Sequence, residues 1–458
     1  MKILICGAGQ VGFHIAAYLS REGNDVTVVD NHRQLVSRIN ESLDVNVILG
    51  HASNPDILNA AGASAVDMMI AVTQSDEVNM MACQIGHSLF GIPKKIARIR
   101  EQAYLKPEWS NLFTRAHMPI DVVISPEVLI AHDIYQRLSI PGTTFVKALA
   151  EGAAHIIGVV CTTECPILHT PLRQVYGLFG DLSFRIVSIM RQGQALVPDD
   201  MEQMREGDEV FFIVDTQHIK RVMTVFGHEE KTARKIVIAG GGNIGLGLTR
   251  LLKKKTKGLQ IKIIDRNPER TSYLSETLEN VVILNGSALE KHILEEANIR
   301  TAEAFVAVTN DDESNILASL LGKQYGCRRT ITLVSNDAYS PLVGPLGVDA
   351  MVSPRSIMVS TIMQHVRRGR IKGIYALRDG FAEIIEAEVS PVSAMVNKPV
   401  SQLNSEHEIV VAGLVRDGVF LIPESQTVIR AKDVAIILAV RNQVRHIEKM
   451  FSAHVDIF

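Results

Sequence analysis

Apolar residues in this chain gather in short, strand-length runs. Between them lie segments whose apolar positions recur at helical spacing. In the first half the pattern predicts strands at Ile3–Cys6, Val26–Val29, Val45–Leu49, Met68–Val72, Ile96–Ile99 and Val122–Ile124. Helices are expected to begin near Gln10, His32, Asn54 and Ser75. Such alternation predicts a parallel sheet covered by helices on both faces. Local punctuation agrees. Asn54-Pro55 supplies a cap and a first-turn proline, and Gly62 stops that helix. Ser75 caps the next helix, Asp76 and Glu77 place acids at its positive end, and Gly91 closes it.

The whole order then returns. Lys2-Ile3-Leu4-Ile5-Cys6-Gly7-Ala8-Gly9-Gln10-Val11-Gly12 is matched by Lys235-Ile236-Val237-Ile238-Ala239-Gly240-Gly241-Gly242-Asn243-Ile244-Gly245. Asp30 is matched by Asp265, Ala71-Val72-Thr73-Gln74 by Ala307-Val308-Thr309-Asn310, and Ser125-Pro126 by Ser353-Pro354. Each Ser-Pro pair opens a further helix, running towards Ser139 and Arg368. A smaller β-rich segment follows: Phe184–Met190 and Phe211–Val214 in the first half, Val410–Val415 and Ala435–Val440 in the second. Asp417-Gly418 is a hairpin turn signal. The chain is therefore read as a duplication with the order large, small, large, small. The expected fold is α/β, with two Rossmann-like doubly wound parallel sheets, each followed by a small α+β, β-rich domain. Domain limits are placed at 1–123, 143–227, 232–348 and 368–453, with the short charged stretch from Gly227 to Arg234 as the linker between halves.

Each Gly-x-Gly-x-x-Gly run follows a strand, opens a helix and is answered by an acid at the end of the next strand. Asp30 lies 18 residues beyond Gly12, and Asp265 lies 20 beyond Gly245. This is the dinucleotide fingerprint in its required context. The first glycine permits a tight turn, the second lets a phosphate approach the backbone, and the third lets helix and strand pack closely. The helix N-terminal amides receive the pyrophosphate. A carboxylate at Asp30 or Asp265 accepts ribose hydroxyls and repels a 2′-phosphate, which favours NAD over NADP. The competing reading is a degenerate Rossmann unit that holds nothing.

The copies differ around the sites. Arg98 faces Leu333 in the repeat, and it is either a phosphate ligand or a salt bridge at a strand end. Arg266 replaces Asn31 and either stacks on adenine or points to solvent. Thr73 and Thr309 end fourth strands, where a hydroxyl reaches a ribose or phosphate or only caps the next helix. The two sites are thus open to different nucleotides.

Composition narrows the rest. The 458 residues are 47% hydrophobic and 21% charged, with a formal net charge of −3. Near-neutrality and only 5% aromatics give no support for a nucleic-acid partner. The longest apolar runs, such as Ile156–Cys161 and Val434–Val440, fall well short of the ~20 residues needed to cross a bilayer. The opening residues run straight into a strand, so no signal peptide is expected. Five scattered cysteines suit a reduced, cytoplasmic protein. Cys161, Cys165 and His169 match no known zinc spacing, and Pro166 breaks any helix that would align them, so a structural role is expected. Two basic runs, Lys253-Lys254-Lys255-Thr256-Lys257 and Arg367-Arg368-Gly369-Arg370-Ile371-Lys372, are read as solvated. An acidic or lipid partner is the alternative for the first, and a subunit contact for the second.

The Rossmann unit, the Ala-Val-Thr-x-x-Asp-Glu-x-Asn stretch, the Ser-Pro helix and the small β-rich domain together resemble an RCK module, a regulator of potassium conductance. Two modules in tandem without a pore are similar to the TrkA-like family, the NAD-binding peripheral subunits of bacterial Trk potassium uptake systems. The resemblance spans essentially the whole chain. It implies a non-catalytic regulator that assembles as a homotetrameric ring. Such a ring docks on a membrane potassium-conducting subunit at the cytoplasmic face of the inner membrane. It would respond to NAD(H), and in some members to ATP or ADP. Carried over by motif, the first site comprises Gly7, Ala8, Gly9, Gln10, Val11, Asp30, Thr73, Gln74 and Arg98. The second comprises Gly240, Gly241, Gly242, Asn243, Ile244, Asp265, Thr309 and Asn310. The chain departs from the family after the third strand, with Gly50-His51-Ala52-Ser53 and Asn285-Gly286-Ser287-Ala288 where Gly-Asp-Ala-Thr is common. The rival readings are an NAD-dependent dehydrogenase, for which the isolated His155, His169 and His407 offer no evident proton-transfer group, and a regulator of potassium efflux.

Overall fold

A computed structural model describes residues 1–366, 371–377, 382–404, 409–440, 447 and 451. The basic run Arg367–Arg370 and His407 lie outside the described residues. By compactness the chain forms two units, Met1–Ile130 with Pro354–Val366, and Ala131–Ser353 with Arg367–Phe458.

In the first unit, β1 (Lys2–Cys6), β2 (Asp25–Asp30), β3 (Asn46–Leu49), β4 (Met68–Ala71), β5 (Lys94–Arg98) and β6 (Val122–Ile124) form one sheet in the order β3-β2-β1-β4-β5-β6. All neighbours run parallel. This is the doubly wound order, with the reversal point beside β1 where such sheets take ligands. The central strands β1 and β4 are buried on both faces, which explains their unbroken apolar runs. One face packs Ile3, Ile5, Ile70 and Ile96 against helix Gln10–Arg21. The same core takes Met358, Ile362, Met363 and Val366 of helix Pro354–Val366. The sequence pattern assigns that helix to the second half, yet its apolar side is buried on the first sheet.

The second unit holds three sheets. The first small domain contributes β7 (Thr143–Leu149), β8 (Ala154–Val160), β9 (Phe184–Arg191), β10 (Gln194–Leu196) and β11 (Glu209–Asp215), antiparallel in the order β10-β9-β11-β8-β7. A second parallel sheet comprises β12 (Lys235–Ala239), β13 (Gln260–Asp265), β14 (Val282–Asn285), β15 (Ala304–Ala307), β16 (Thr330–Leu333) and β17 (Ala350–Val352). Its order, β14-β13-β12-β15-β16-β17, repeats that of the first. The last sheet, β18 (Ile371–Leu377), β19 (Ala382–Glu388), β20 (Ile409–Arg416), β21 (Val419–Leu421) and β22 (Val434–Val440), is antiparallel in the order β18-β19-β22-β20-β21. The fold class is the one the pattern predicts.

The small domains repeat each other in detail. Their hairpins turn at Gln192-Gly193 and Asp417-Gly418, with positive φ at all four residues, the turn that matches strand twist. The arginine before each turn binds a buried aspartate: Arg191 Nη2 to Asp208 Oδ2 at 2.8 Å, and Arg416 Nη2 to Asp433 Oδ2 at 2.7 Å. One apolar layer joins the two sheets, through Phe211, Ile213 and Ile156 on one and Ile384, Ile436 and Leu438 on the other.

The later part of helix Pro126–Ser139 belongs to this unit as well. Half-buried Arg329, just before β16, donates through Nη1 to Arg137 O at 2.9 Å and through Nη2 to Thr143 O at 2.7 Å. Asp133 on the same helix is buried and held by Arg137 Nε at 2.8 Å and by Lys147 Nζ. Those two cations keep its carboxyl well below the usual range despite burial.

Candidate functional site

Both glycine turns are sterically compulsory in the same way. Gly7 and Gly240 have φ of +115° and +110°, a region that L side chains avoid. A Cβ on Gly12 would lie 1.8 Å from Gly7 O, and one on Gly245 2.0 Å from Gly240 O. Those glycines exist so that helix and strand can touch. The middle glycines differ. A Cβ on Gly9 or Gly242 would meet nothing within 4 Å. No packing within the protein requires glycine there.

Gly9 and Gly242 also stand at the N-caps of helices Gln10–Arg21 and Asn243–Lys255, and neither end carries a side-chain cap. The first-turn amides, which include Gln10, Val11, Asn243 and Ile244, have no intrahelical partner. The two carboxylates brace the turns. Asp30 Oδ2 accepts from Ala8 N at 2.6 Å and Oδ1 from His32 N at 2.7 Å. Asp265 Oδ2 accepts from Gly241 N at 2.7 Å and Oδ1 from Asn267 N at 2.9 Å. Each carboxylate is thereby fixed to its own glycine turn in both copies.

Across the turn, Thr73 and Thr309 follow β4 and β15, as placed from sequence. Their hydroxyls point inward. Thr73 Oγ1 donates to Asn79 Oδ1 at 2.7 Å, and Thr309 Oγ1 to Asn315 Oδ1 at 2.7 Å. Helix capping falls to Ser75 Oγ on Val78 N and Asp311 Oδ2 on Ser314 N instead. Gln74 and Asn310 are exposed beside the threonines.

Sequence reasoning missed the roles of two repeated pairs. Asn79 Nδ2 donates to Arg98 O at 2.9 Å and Asn315 Nδ2 to Leu333 O at 3.0 Å, tying the ends of the fourth and fifth strands together. Asp76 accepts from Arg100 N and Glu101 N, and Asp312 from Ser335 N and Asn336 N. Their signal was the identical spacing in both copies, Thr73 to Asn79 and Thr309 to Asn315.

Arg98 ends β5, and its Nε is buried without a hydrogen-bond partner among the described residues. Burial, reinforced by Arg100, lowers its pKa. Arg266 is exposed. Arg270, which the sequence did not single out, donates from Nε to Gly241 O at 2.6 Å. Its Nη2 is also buried and unpartnered among the described residues.

Elsewhere, Cys161 and Cys165 lie in the core of the first small domain while His169 is exposed, so the three are not brought together. A hydrogen bond from Cys161 brings the Cys165 thiol down to about 7, whereas that bond and burial push Cys161 up. Lys253, Lys254 and Lys255 close their helix on its exposed side, and Lys253 Nζ reaches Glu279 O. Among the described residues no helix is long and apolar enough to cross a membrane.

Comparison with known proteins is consistent with this duplication. The TrkA-N domain family matches residues 3–126 and 236–354, and the TrkA-C domain family matches 156–227 and 384–452. The chain is 43% identical to a Trk system potassium uptake protein TrkA of Azorhizobium caulinodans and 36% identical to that of Halomonas elongata, in both cases over 100% of each chain. Among solved structures, the GsuK RCK domain aligns with a TM-score of 0.59 and 18% identity, covering 98% of this chain and 94% of that one. The GsuK channel bound to NAD aligns with a TM-score of 0.60 and 18% identity, covering 98% of this chain and 78% of that one. At that identity the likeness speaks to the fold.

Proposed function

The chain belongs to the TrkA family, and from that premise we propose that it is the nucleotide-sensing regulatory subunit of a potassium uptake system. In this reading it binds NAD(H) in the glycine-lined pockets, with ATP and ADP as alternative ligands, and gates a membrane potassium-conducting subunit. It works as a homotetrameric ring on the cytoplasmic face of the inner membrane and performs no reaction on its ligands. The observation that carries the reading is the twofold coupling of an open glycine to a ribose-accepting carboxylate, Gly9 with Asp30 and Gly242 with Asp265.

The pockets would divide the ligand among named groups. Asp30 and Asp265 take the ribose hydroxyls nearest the adenine. The amides at Gly9, Gln10 and Val11, and at Gly242, Asn243 and Ile244, take the pyrophosphate. Thr73, Gln74, Thr309 and Asn310 supply the far edge through backbone and exposed amides, and Arg98 supplies charge to the distal half. An acceptor already engaged with backbone donors disfavours a 2′-phosphate, so NAD is preferred over NADP.

Gating follows from unequal affinity. A ligand shifts a two-state equilibrium only as far as it prefers one state. Moving a gate from ~1:99 to ~99:1 takes about 5.5 kcal/mol, whereas one site contributes roughly 1–3 kcal/mol of coupling. Two pockets per chain, multiplied by a ring, reach that sum. Each pocket also lies in a unit containing a helix from the other half of the chain, Pro354–Val366 with the first and the end of Pro126–Ser139 with the second. Occupancy of either pocket therefore bears on elements that lead into the small domains.

The test is reconstitution. Potassium flux through the cognate membrane subunit is measured with the full chain while NADH, NAD, ADP and ATP are varied. Flux that ignores every nucleotide, or steady NADH consumption with a panel of metabolites, would overturn the reading.

A further inference from the structure

Among the described residues, two guanidinium groups have a buried nitrogen with no hydrogen-bond partner, Arg98 at Nε and Arg270 at Nη2. Arg98 ends β5 at the carboxyl edge of the first parallel sheet, Arg270 touches the second glycine turn, and neither is repeated in the other copy. Leu333 occupies the place of Arg98, and Leu35 the place of Arg270, counting from Asp30 and Asp265. An N–H withheld from both water and an acceptor is costly. An anionic oxygen supplied by a ligand would satisfy it, and arginine suits phosphate better than any other side chain.

The two arginines approach from opposite ends. Arg270 lies on helix Pro268–Thr277, directly after the β13 strand that ends in Asp265. Its Nε is fixed to the carbonyl of Gly241, whose amide is held by Asp265. Tyr273 packs 5.0 Å from the guanidinium and keeps it over the turn. The cation therefore sits between the ribose acceptor and the glycine turn, where the phosphate attached to the adenosine ribose must pass. Arg98 is on the other side. It ends β5, two strands from β1 in the order β1-β4-β5, about 10 Å away at the usual strand spacing. A single phosphate on adenosine does not reach it.

We infer that the two pockets read opposite ends of an adenine nucleotide. The second pocket holds the adenosine 5′-phosphate through Arg270, and an adenine mononucleotide suffices. The first pocket, lacking that cation, depends on Arg98 and requires a phosphate beyond the first. The inference rests on the nucleotide-binding reading above and assigns the ligand class of each pocket. Its consequence is a chain that reports the mononucleotide level at one site and the di- or triphosphate or dinucleotide level at the other.

Calorimetric titration of the full chain with adenosine, AMP and ADP decides it. The wild-type chain is expected to bind one equivalent of AMP and two of ADP. Arg270→Leu, which installs the residue that the first copy tolerates, should weaken AMP at least tenfold and leave one ADP equivalent. Adenosine, which has no phosphate, should bind Arg270→Leu as it binds wild type. Arg98→Leu should retain the AMP equivalent and lose one of ADP. The inference is overturned if Arg270→Leu binds AMP as wild type does, if it loses adenosine in equal measure, or if Arg98→Leu loses AMP. A wild-type chain that binds no nucleotide at all would instead remove the sensor reading on which the inference stands.

Discussion

Ala8 N donates to Asp30 Oδ2 at 2.6 Å, so the residue proposed to hold a ribose also pins the turn proposed to hold a phosphate. The second copy keeps the bond between Gly241 N and Asp265 Oδ2 at 2.7 Å. A carboxylate that does both things has two measurable consequences when it is removed. Asp30→Ala and Asp265→Ala should each weaken NADH by 10- to 100-fold at their own site, in line with about 1.5–3 kcal/mol for a hydrogen bond to a charged group. They should also lower the melting temperature slightly. Equilibrium binding of NADH to each variant checks this, and if neither change alters any nucleotide the site is misassigned.

The glycines separate packing from ligand approach. Gly12→Ala and Gly245→Ala place a Cβ within 2.0 Å of a carbonyl oxygen, and each should destabilise its Rossmann unit by about 2–4 kcal/mol through forced backbone shifts. Gly9→Ala and Gly242→Ala meet no protein atom within 4 Å. They should melt within ~0.5 kcal/mol of wild type and still lose NADH. Paired thermal melts and binding isotherms distinguish the two classes, and a Gly9→Ala chain that binds normally would remove the phosphate from that position.

Asn79 ties Thr73 to the carbonyl of Arg98 and is fully buried. Asn79→Ala leaves Thr73 N and Arg98 O without partners, at a cost of about 2–3 kcal/mol. It should also weaken nucleotides that reach Arg98 more than those that do not. Denaturant titration and ADP binding on the same variant provide the check.

Arg329 is the donor for two carbonyls at and after the end of helix Pro126–Ser139. Burial brings its pKa down to about 10, still charged at neutral pH. Arg329→Met removes the charge and strands both carbonyls, and a loss of about 3 kcal/mol is expected. The measurement is the melting of the second unit together with hydrogen exchange of the amides across the end of helix Pro126–Ser139 and β7, whose local opening the stranded carbonyls should raise. Unchanged protection there would contradict the assignment.

His14 lies directly after the first glycine turn and accepts from Arg355 Nη1 at 2.8 Å. Burial first, then Arg355, Arg38 and Arg21, lower its pKa to about 4 from 6.5. The folded state keeps the ring neutral, while the unfolded chain takes up a proton below about 6.5. Its contribution is therefore intact above pH 6.5 and is lost as pH falls from there towards 4. His14→Gln should flatten that part of the stability profile, and thermal melts between pH 4 and 7 would reveal it.

Much of this protein is written locally. The apolar runs of β1, β4, β12 and β15, the glycine turns and the caps at Asn54 and Ser75 were legible because each depends on residues a few positions apart. The duplication made weak signals strong, since a pattern seen twice in one order needs no external comparison. What escaped the sequence depended on distant partners. Nothing in Met358, Ile362 and Met363 says which of two equivalent sheets they cover, because apolar spacing specifies a buried face and not its counterpart. Arg270 looked like any solvent-facing helical arginine until the turn of Gly241 came within 2.6 Å of it. Thr73 offered a hydroxyl to a ligand on paper, and the fold gave that hydroxyl to Asn79. Secondary structure and duplication follow from short-range chemistry in the chain. The exchange of helices and the contact of Arg270 with the second glycine turn were decided by long-range packing, which alone sets the surroundings of a side chain.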